Sequence, residues 1–260
     1  MIDYGMGELL TYFIERKLKI VLPISSSTRW KWNIKSEIRF WDKCIRTNGL
    51  IWPEEYKLRH DSNLELQQEI AELLPETDEV KILEVGAGPF TYLGKVYTKS
   101  KLNITATDPL ADVYDRIMKK YNVTPLIKTI KLDAEKISEK YEKESFDLVF
   151  ARNSIDHSYS PEQAIFSMLQ VVKRGCYIYL KHRPNEAEKE DWQGLHQWNF
   201  SIVDNAFIIS SRNTKVNFSE KYKEICDTSH SYDSEDDMLN VTIKKIASTY
   251  PASQAERSRF

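Results

Sequence analysis

The residues best placed to do chemistry begin with Glu84-Val-Gly86-Ala87-Gly88, where an apolar, β-rich run from Lys81 ends in an acidic residue and a glycine turn. Glycine has no Cβ, so backbone amides at such a turn can come close to a nucleotide-like ligand. A pyrophosphate-binding loop favours a third glycine three residues after the second. That position is Thr91 here. A carboxylate beside the turn suits a ligand carrying positive charge better than one carrying two phosphates.

Three more acidic or amide residues recur at the ends of β-rich runs. Leu102-Asn-Ile-Thr-Ala-Thr107 ends at Asp108, about one βαβ unit after the glycines, where an acidic side chain can accept from ribose hydroxyls. A dinucleotide fold would give the same spacing, so Asp108 points to a nucleoside without saying which. Ile127-Lys-Thr-Ile-Lys-Leu132 ends at Asp133-Ala134, and Phe146-Asp-Leu-Val-Phe-Ala-Arg152 ends at Asn153. This ordered set resembles the class I S-adenosylmethionine-dependent methyltransferases, whose first motif is acidic-x-Gly-x-Gly. The outline is similar to the small-molecule and glycan O-methyltransferases of surface-polysaccharide assembly. The resemblance is firm over residues 80–183 and loose in the flanks. It implies S-adenosylmethionine (SAM) as cofactor, contacted by Glu84, Gly86, Ala87, Gly88, Asp108, Pro109, Asp133, Ala134 and Asn153. It implies that the Asp133 carboxylate and the following amide hold the adenine, and that the loop after the fourth strand faces the departing methyl group.

A sulfonium methyl is already electrophilic, so the protein must align a nucleophile, exclude water and accept a proton if the acceptor is a hydroxyl. Open α/β sheets bind ligands beyond the carboxyl ends of their strands. His157 follows the fourth strand, His182 ends the fifth, and His196 lies in the long loop after it. His157 is the expected general base, with Asp156 orienting it or serving as base itself. His196, within Gly194-Leu-His-Gln-Trp198, is expected to grip the acceptor. His60 precedes an expected helix, and His230 looks remote. Carboxylates after the third and fourth strands are compatible with magnesium, but no dense Asp/Glu cluster is present, so no metal is expected.

The acceptor is narrowed by elimination within the family. The loop Arg152-Asn-Ser-Ile-Asp-His157 is not the Asn/Asp-Pro-Pro-Tyr loop of base-amine methylation, no Pro-Cys pair exists for cytosine chemistry, and no paired-glutamate loop of the arginine-methylating type occurs. A hydroxyl of a sugar or other small polar acceptor remains. A non-sugar metabolite, or a silent SAM-binding subunit acting through its aromatic surface, stays open.

The elements that must position these residues follow from pattern. Residues 76–183 alternate strands and helices, which predicts a doubly wound, mostly parallel seven-stranded sheet of α/β class. Residues 1–75 form an N-terminal cap, 76–250 the methyltransferase domain and 251–260 a flexible tail. In the cap, Ser62-Asn-Leu-Glu65 reads as a capping box opening a helix through Leu66, Ile70, Leu73 and Leu74 to Pro75. Trp30, Trp32, Trp41 and Trp52 lie upstream of it and offer faces for a sugar ring or an aromatic substrate. Ser160-Pro161 starts a helix that Gly175 is expected to end, and Cys176–Leu180 is the fifth strand. Ala206–Ser210 and Leu239–Ile243 read as strands, and the acid-rich stretch 229–237 as a solvated loop. A net charge of −2 excludes a global footprint for nucleic acid. Cys44, Cys176 and Cys226 are too scattered for a zinc or disulfide framework. The start lacks a signal-peptide pattern and no apolar run approaches a membrane span, so a soluble cytoplasmic protein is expected, free to form oligomers.

Overall fold

A computed structural model describes residues 24–247 and Ile14. The proposed tail 251–260 and the first part of the cap lie outside the described residues. Seven strands form one sheet in the order β3-β2-β1-β4-β5-β10-β9. They are β1 (Glu79–Val85), β2 (Lys101–Asp108), β3 (Thr129–Lys131), β4 (Phe146–Arg152), β5 (Val172–His182), β9 (Cys226–Asp233) and β10 (Met238–Lys245). The first five run parallel, and β10 lies antiparallel to both β5 and β9. This is the doubly wound sheet expected from the alternation. Strand order reverses between β1 and β4, which opens a crevice at their carboxyl ends. A separate antiparallel sheet joins β6 (Asn199–Val203), β7 (Ala206–Ser210) and β8 (Lys215–Asn217).

Strand β4 is buried along six of its seven residues, as a central strand covered on both faces must be. The two-residue period divides its side chains. Val149 and Ala151 join Leu83 and Val85 in one core, with helix Pro161–Val171 packed over them. Leu148 and Phe150 join Ile82, Leu66 and Ile70 in the other.

Helices of two or more turns are α1 (Ser26–Arg46), α2 (Pro53–His60), α3 (Ala111–Tyr121) and α4 (Pro161–Val171). The Ser25 hydroxyl caps α1 by accepting from the Thr28 amide at 3.2 Å. Helix α2 opens on Pro53 with Glu54 and Glu55 in its first turn and carries Lys57 and Arg59 in its last, charges that match the helix dipole at both ends. Both helices form the expected cap. Their Trp41, Cys44, Ile45 and Tyr56 share a core with Phe90 and with Tyr114, Ile117 and Met118 of α3.

Three expectations are corrected. The segment 62–75 holds only one helical turn, Gln68–Ala71. Leu64 and Leu66 instead pair with the chain at 95–96, Lys95 N donating to Leu64 O at 2.7 Å and Leu66 N to Val96 O at 2.8 Å. The apolar stripe is still satisfied, because an extended Leu66 and a single turn at Ile70 reach the same core. Gly175 does not end α4, which stops at Val171. It lies inside β5 with φ +83°, in the irregular stretch where β4–β5 pairing shifts register between Phe146 and Leu148. Finally, the acidic stretch 229–237 is mostly strand: β9 forms the sheet edge through Asp233. An edge strand with one exposed face tolerates polar and charged residues that a central strand would not. Among the described residues no helix is long and apolar enough to cross a membrane.

Candidate active site

A cavity of about 530 Å³ opens at the carboxyl ends of β1, β2 and β4, at the strand-order reversal, and is roofed by α1. One end is built from the glycine turn and the β2 terminus. Gly86 and Gly88 both have positive φ, +70° and +66°. At Gly88 a Cβ would stand 2.7 Å from the Trp41 ring, so only glycine allows this turn and the cap to meet. The amides of Gly86 and Ala87 donate to Thr107 O at 2.8 and 3.0 Å, which ties the turn to β2. Asp108 accepts from the Gly88 amide at 3.0 Å and the Leu110 amide at 2.8 Å. Burial pushes its pKa up to about 7, with the nearby Glu37 carboxylate adding to the effect against the two amides. Ala87, Pro109, Asp133 and Ala134 also line the cavity. Asn153 lines it too, with φ +43° and its Oδ1 accepting from the Arg183 amide at 3.0 Å.

Glu84 is the exception. Its buried carboxylate turns away from the cavity, accepting from the Thr91 hydroxyl and, at 2.9 Å, from the Tyr92 amide. Burial raises its pKa, against those two hydrogen bonds and the Arg59 charge. It therefore braces the segment after the glycine turn and does not face the ligand space. Thr91, at the position where a pyrophosphate loop would have glycine, is what holds it.

Two arginines lacked any signal in the sequence. Arg59, buried in the last turn of α2, donates to the carbonyls of Ala87 and Phe90 and pairs with Glu55 at 3.1 Å. Glu55 also pairs with Arg152 at 2.6 Å, and both arginines line the cavity. An arginine on a cap helix ordinarily reads as solvated, and only the tertiary approach of the glycine turn reveals otherwise. Of the aromatic residues anticipated upstream, Trp30, Trp41 and Trp52 line the cavity. Tyr159 joins them, its ring 6.3 Å from that of Trp30 in an edge arrangement.

At the other end the expected catalytic residues come together. His157 Nε2 lies 3.2 Å from His196 Nδ1. Asp156 Oδ2 lies 3.4 Å from the first nitrogen and 3.8 Å from the second. Asp156 is 2 % exposed, whereas both histidines line the cavity. Burial opposes its charge, but the His157, His196 and His182 imidazoles outweigh this and hold its pKa below the usual carboxylate range. His196 is driven down by burial but up, on balance, by Asp156 and Glu186. His182 is a positioning group: buried, with a pKa lowered to about 4 by desolvation, its Nε2 accepts from the amides of Ser154 and Ile155 at 3.3 and 3.1 Å. That contact fixes the loop carrying Asp156 and His157.

The sequence assigns His157 and His196 separate roles. The structure places the two ring nitrogens within hydrogen-bond distance of each other, at 3.2 Å. Gln197 is not among the residues lining this cavity; its amide nitrogen donates to Trp192 O and Gly194 O at 2.7 and 3.1 Å and shapes the loop. His60 packs on Tyr56 and Phe90 outside the cavity, and His230 is exposed on the edge strand β9, as remote as its position suggested.

Residues 83–180 match the family described as "Methyltransferase domain". No curated protein matches the chain. Similar solved structures include the N-methyltransferase NodS from Bradyrhizobium japonicum in complex with S-adenosyl-L-homocysteine, at 12% identity and TM-score 0.48, with 82% of this chain and 98% of that one covered. The CurJ carbon methyltransferase is similar at 16% identity and TM-score 0.47, over 68% of this chain and 51% of that one. The [4+2]-cyclase SpnF is similar at 14% identity and TM-score 0.42, over 88% of this chain and 98% of that one. Likeness at this level carries nothing about the acceptor. The matched segment holds the strands whose ends line the cavity, and the chain is an S-adenosylmethionine-dependent methyltransferase with SAM as its cofactor.

Proposed function

We propose that this methyltransferase transfers the methyl group of SAM to a hydroxyl of a sugar or another small polar acceptor, in polysaccharide or glycoconjugate assembly in the cytoplasm. The observation that carries the reading is the pair of imidazoles at the cavity wall, 3.2 Å apart and backed by a buried carboxylate. A hydroxyl needs such a group because it must lose its proton as it attacks. The cofactor would lie along the other end of the cavity. Gly86, Ala87 and Gly88 present a close backbone surface, Asp108 accepts from the ribose hydroxyls, Asp133 and Ala134 meet the adenine, and Pro109 and Asn153 complete the walls. The acceptor oxygen then forms a bond to the methyl carbon, the sulfur–carbon bond breaks with its electron pair kept on sulfur, and the hydroxyl proton leaves at the Asp156–His157–His196 cluster. Trp30 and Tyr159 offer apolar faces on which a sugar ring can stack.

The test is transfer of labelled methyl from SAM over a panel of nucleotide sugars, oligosaccharides and small phenols. With the best acceptor, His157→Ala should lower kcat by about 10²–10⁴-fold, the usual contribution of positioned proton transfer, and leave SAM affinity unchanged. Transfer to phenols but not sugars would move the acceptor to a non-sugar metabolite. Tight SAM binding with no transfer to any hydroxyl would favour a silent subunit and overturn the proposal.

A further inference from the structure

The carboxylate behind the two histidines is unusual. Asp156 is 2 % exposed, and among the described residues neither of its oxygens has a hydrogen-bond partner. A buried carboxylate is ordinarily hydrogen-bonded, or else paired with a cation or a metal. Its nearest polar neighbours are the ring nitrogens of His157, His182 and His196 at 3.4–3.8 Å. His182 Nε2 is already committed to two backbone amides. His157 Nε2 and His196 Nδ1 lie within hydrogen-bond distance of each other and close to the carboxylate.

The separations of these atoms have a specific geometry. Asp156 Oδ2, His157 Nε2 and His196 Nδ1 form a triangle with sides of 3.2, 3.4 and 3.8 Å. The edge of a tetrahedron whose centre lies about 2.1 Å from each corner, the usual zinc–ligand distance, is about 3.4 Å. One point can therefore lie at coordination distance from all three atoms without moving them. Two neutral imidazoles and one carboxylate are also the donor set of catalytic zinc sites, which leave a fourth position open. Magnesium prefers an all-oxygen shell and is not suited to this set. We propose that Asp156, His157 and His196 ligate a divalent transition-metal ion of the zinc type, whose open position faces the cavity and takes the acceptor oxygen.

Ion binding stands independently of the acceptor; the statement about the acceptor oxygen rests on the proposed function. Glu186 lines the cavity with its Oε1 4.0 Å from His196 Nδ1, and its buried Oε2 lacks a hydrogen-bond partner among the described residues. With both imidazoles and Asp156 on the ion, Glu186 replaces the Asp156–His157–His196 cluster as the group that receives the proton of the coordinated hydroxyl. The oxygen then attacks the methyl carbon, and the sulfur–carbon pair returns to sulfur. A dense acidic cluster is the usual sequence cue for a metal, and here two imidazoles stand in its place.

The test uses the full-length protein stripped with a chelator and titrated with Co²⁺ and Zn²⁺. One equivalent of Co²⁺ should bind and give the visible absorption of a site with nitrogen ligands, and Zn²⁺ should displace it. His196→Ala and His157→Ala should each weaken Co²⁺ binding by about 100-fold, at the top of the range seen when even outer groups of metal sites are altered. SAM affinity should be retained in both, which shows that they fold, and His230→Ala, on the edge strand, should bind as wild type. Absence of saturable binding, or binding that both variants keep, overturns the proposal. Methyl transfer separates the two readings. A stripped enzyme that methylates its acceptor at full rate removes the metal and leaves hydroxyl transfer intact. Stoichiometric Co²⁺ binding in a protein that methylates no hydroxyl preserves the site and refutes the acceptor.

Discussion

Asp108 accepts two amide hydrogen bonds and still resists ionisation, because desolvation at the end of β2 outweighs them and the Glu37 charge adds to it. The linkage has a definite sign. A carboxyl that titrates near 7 in the folded protein and near 3.9 when unfolded binds its proton more tightly in the native state, so its contribution to stability falls as pH rises from about 4 to 7. On the proposed placement of the cofactor, ribose hydroxyls would donate to the charged form, so bound SAM should favour ionisation. SAM affinity should therefore rise with pH up to about 7 and level off above, with proton release on binding below it. Calorimetry at pH 6, 7 and 8 in buffers of different ionisation enthalpy measures this, and Asp108→Asn should flatten the profile. An affinity independent of pH in wild type would show that SAM does not engage this carboxylate. That Asp108, Asp133, Asn153 and His157 would line one cavity was legible in the sequence, since each lies at or shortly after a strand end and the fold gathers strand ends. The direction of Glu84 was not. It depends on Thr91 and Tyr92 folding back beneath the turn, a contact with no periodicity to betray it.

At the scale of elements, helix α2 matters more than its length suggests. Through Arg59 it donates to the carbonyls of Ala87 and Phe90, and through Glu55 it reaches Arg152 at the end of β4. Burial lowers the pKa of Arg59, opposed by the Glu55 and Glu84 carboxylates. Removing one partner from such a buried network leaves charge and carbonyls uncompensated, at about 3–5 kcal/mol. Arg59→Ala should therefore lower the unfolding free energy by about 3 kcal/mol and weaken SAM binding by loosening the turn. Arg59→Lys should recover little, because a compact ammonium cannot span three acceptors as a guanidinium does. Denaturant midpoints with an unchanged slope measure the loss, and a change under about 1 kcal/mol in Arg59→Ala would deny the helix this role. The alternation of strands and helices was legible because hydrophobic period follows backbone geometry. The helix read over 62–75 shrinks to one turn, since the same apolar positions are satisfied by a short strand-like pairing and that turn. Gly175 misled for a related reason: positive φ serves a strand irregularity as readily as a helix end.

For the whole molecule, a boundary near residue 75 separates a cap from a SAM-binding unit by sequence pattern, and we propose that the two nonetheless unfold together. Trp41 and Tyr56 of the cap are buried against Phe90 and Tyr114, and the Trp41 and Tyr114 rings lie 6.1 Å apart. The Gly88 turn packs directly against Trp41, with room for no Cβ between them. Detaching the cap would expose that aromatic core and free the carbonyls that Arg59 holds, so an intermediate with a loose cap and an intact sheet is disfavoured. Heating should then give one transition. SAM at about 100 times its dissociation constant should add about 2.7 kcal/mol and raise Tm by about 5–10 °C for a chain of this size. Scanning calorimetry with and without SAM measures both the number of transitions and the shift. Two transitions, of which SAM moves only the later one, would make the cap an independent unit. A single transition that SAM moves as a whole would mean that the cap and the cofactor end of the cavity are formed, and lost, in one step.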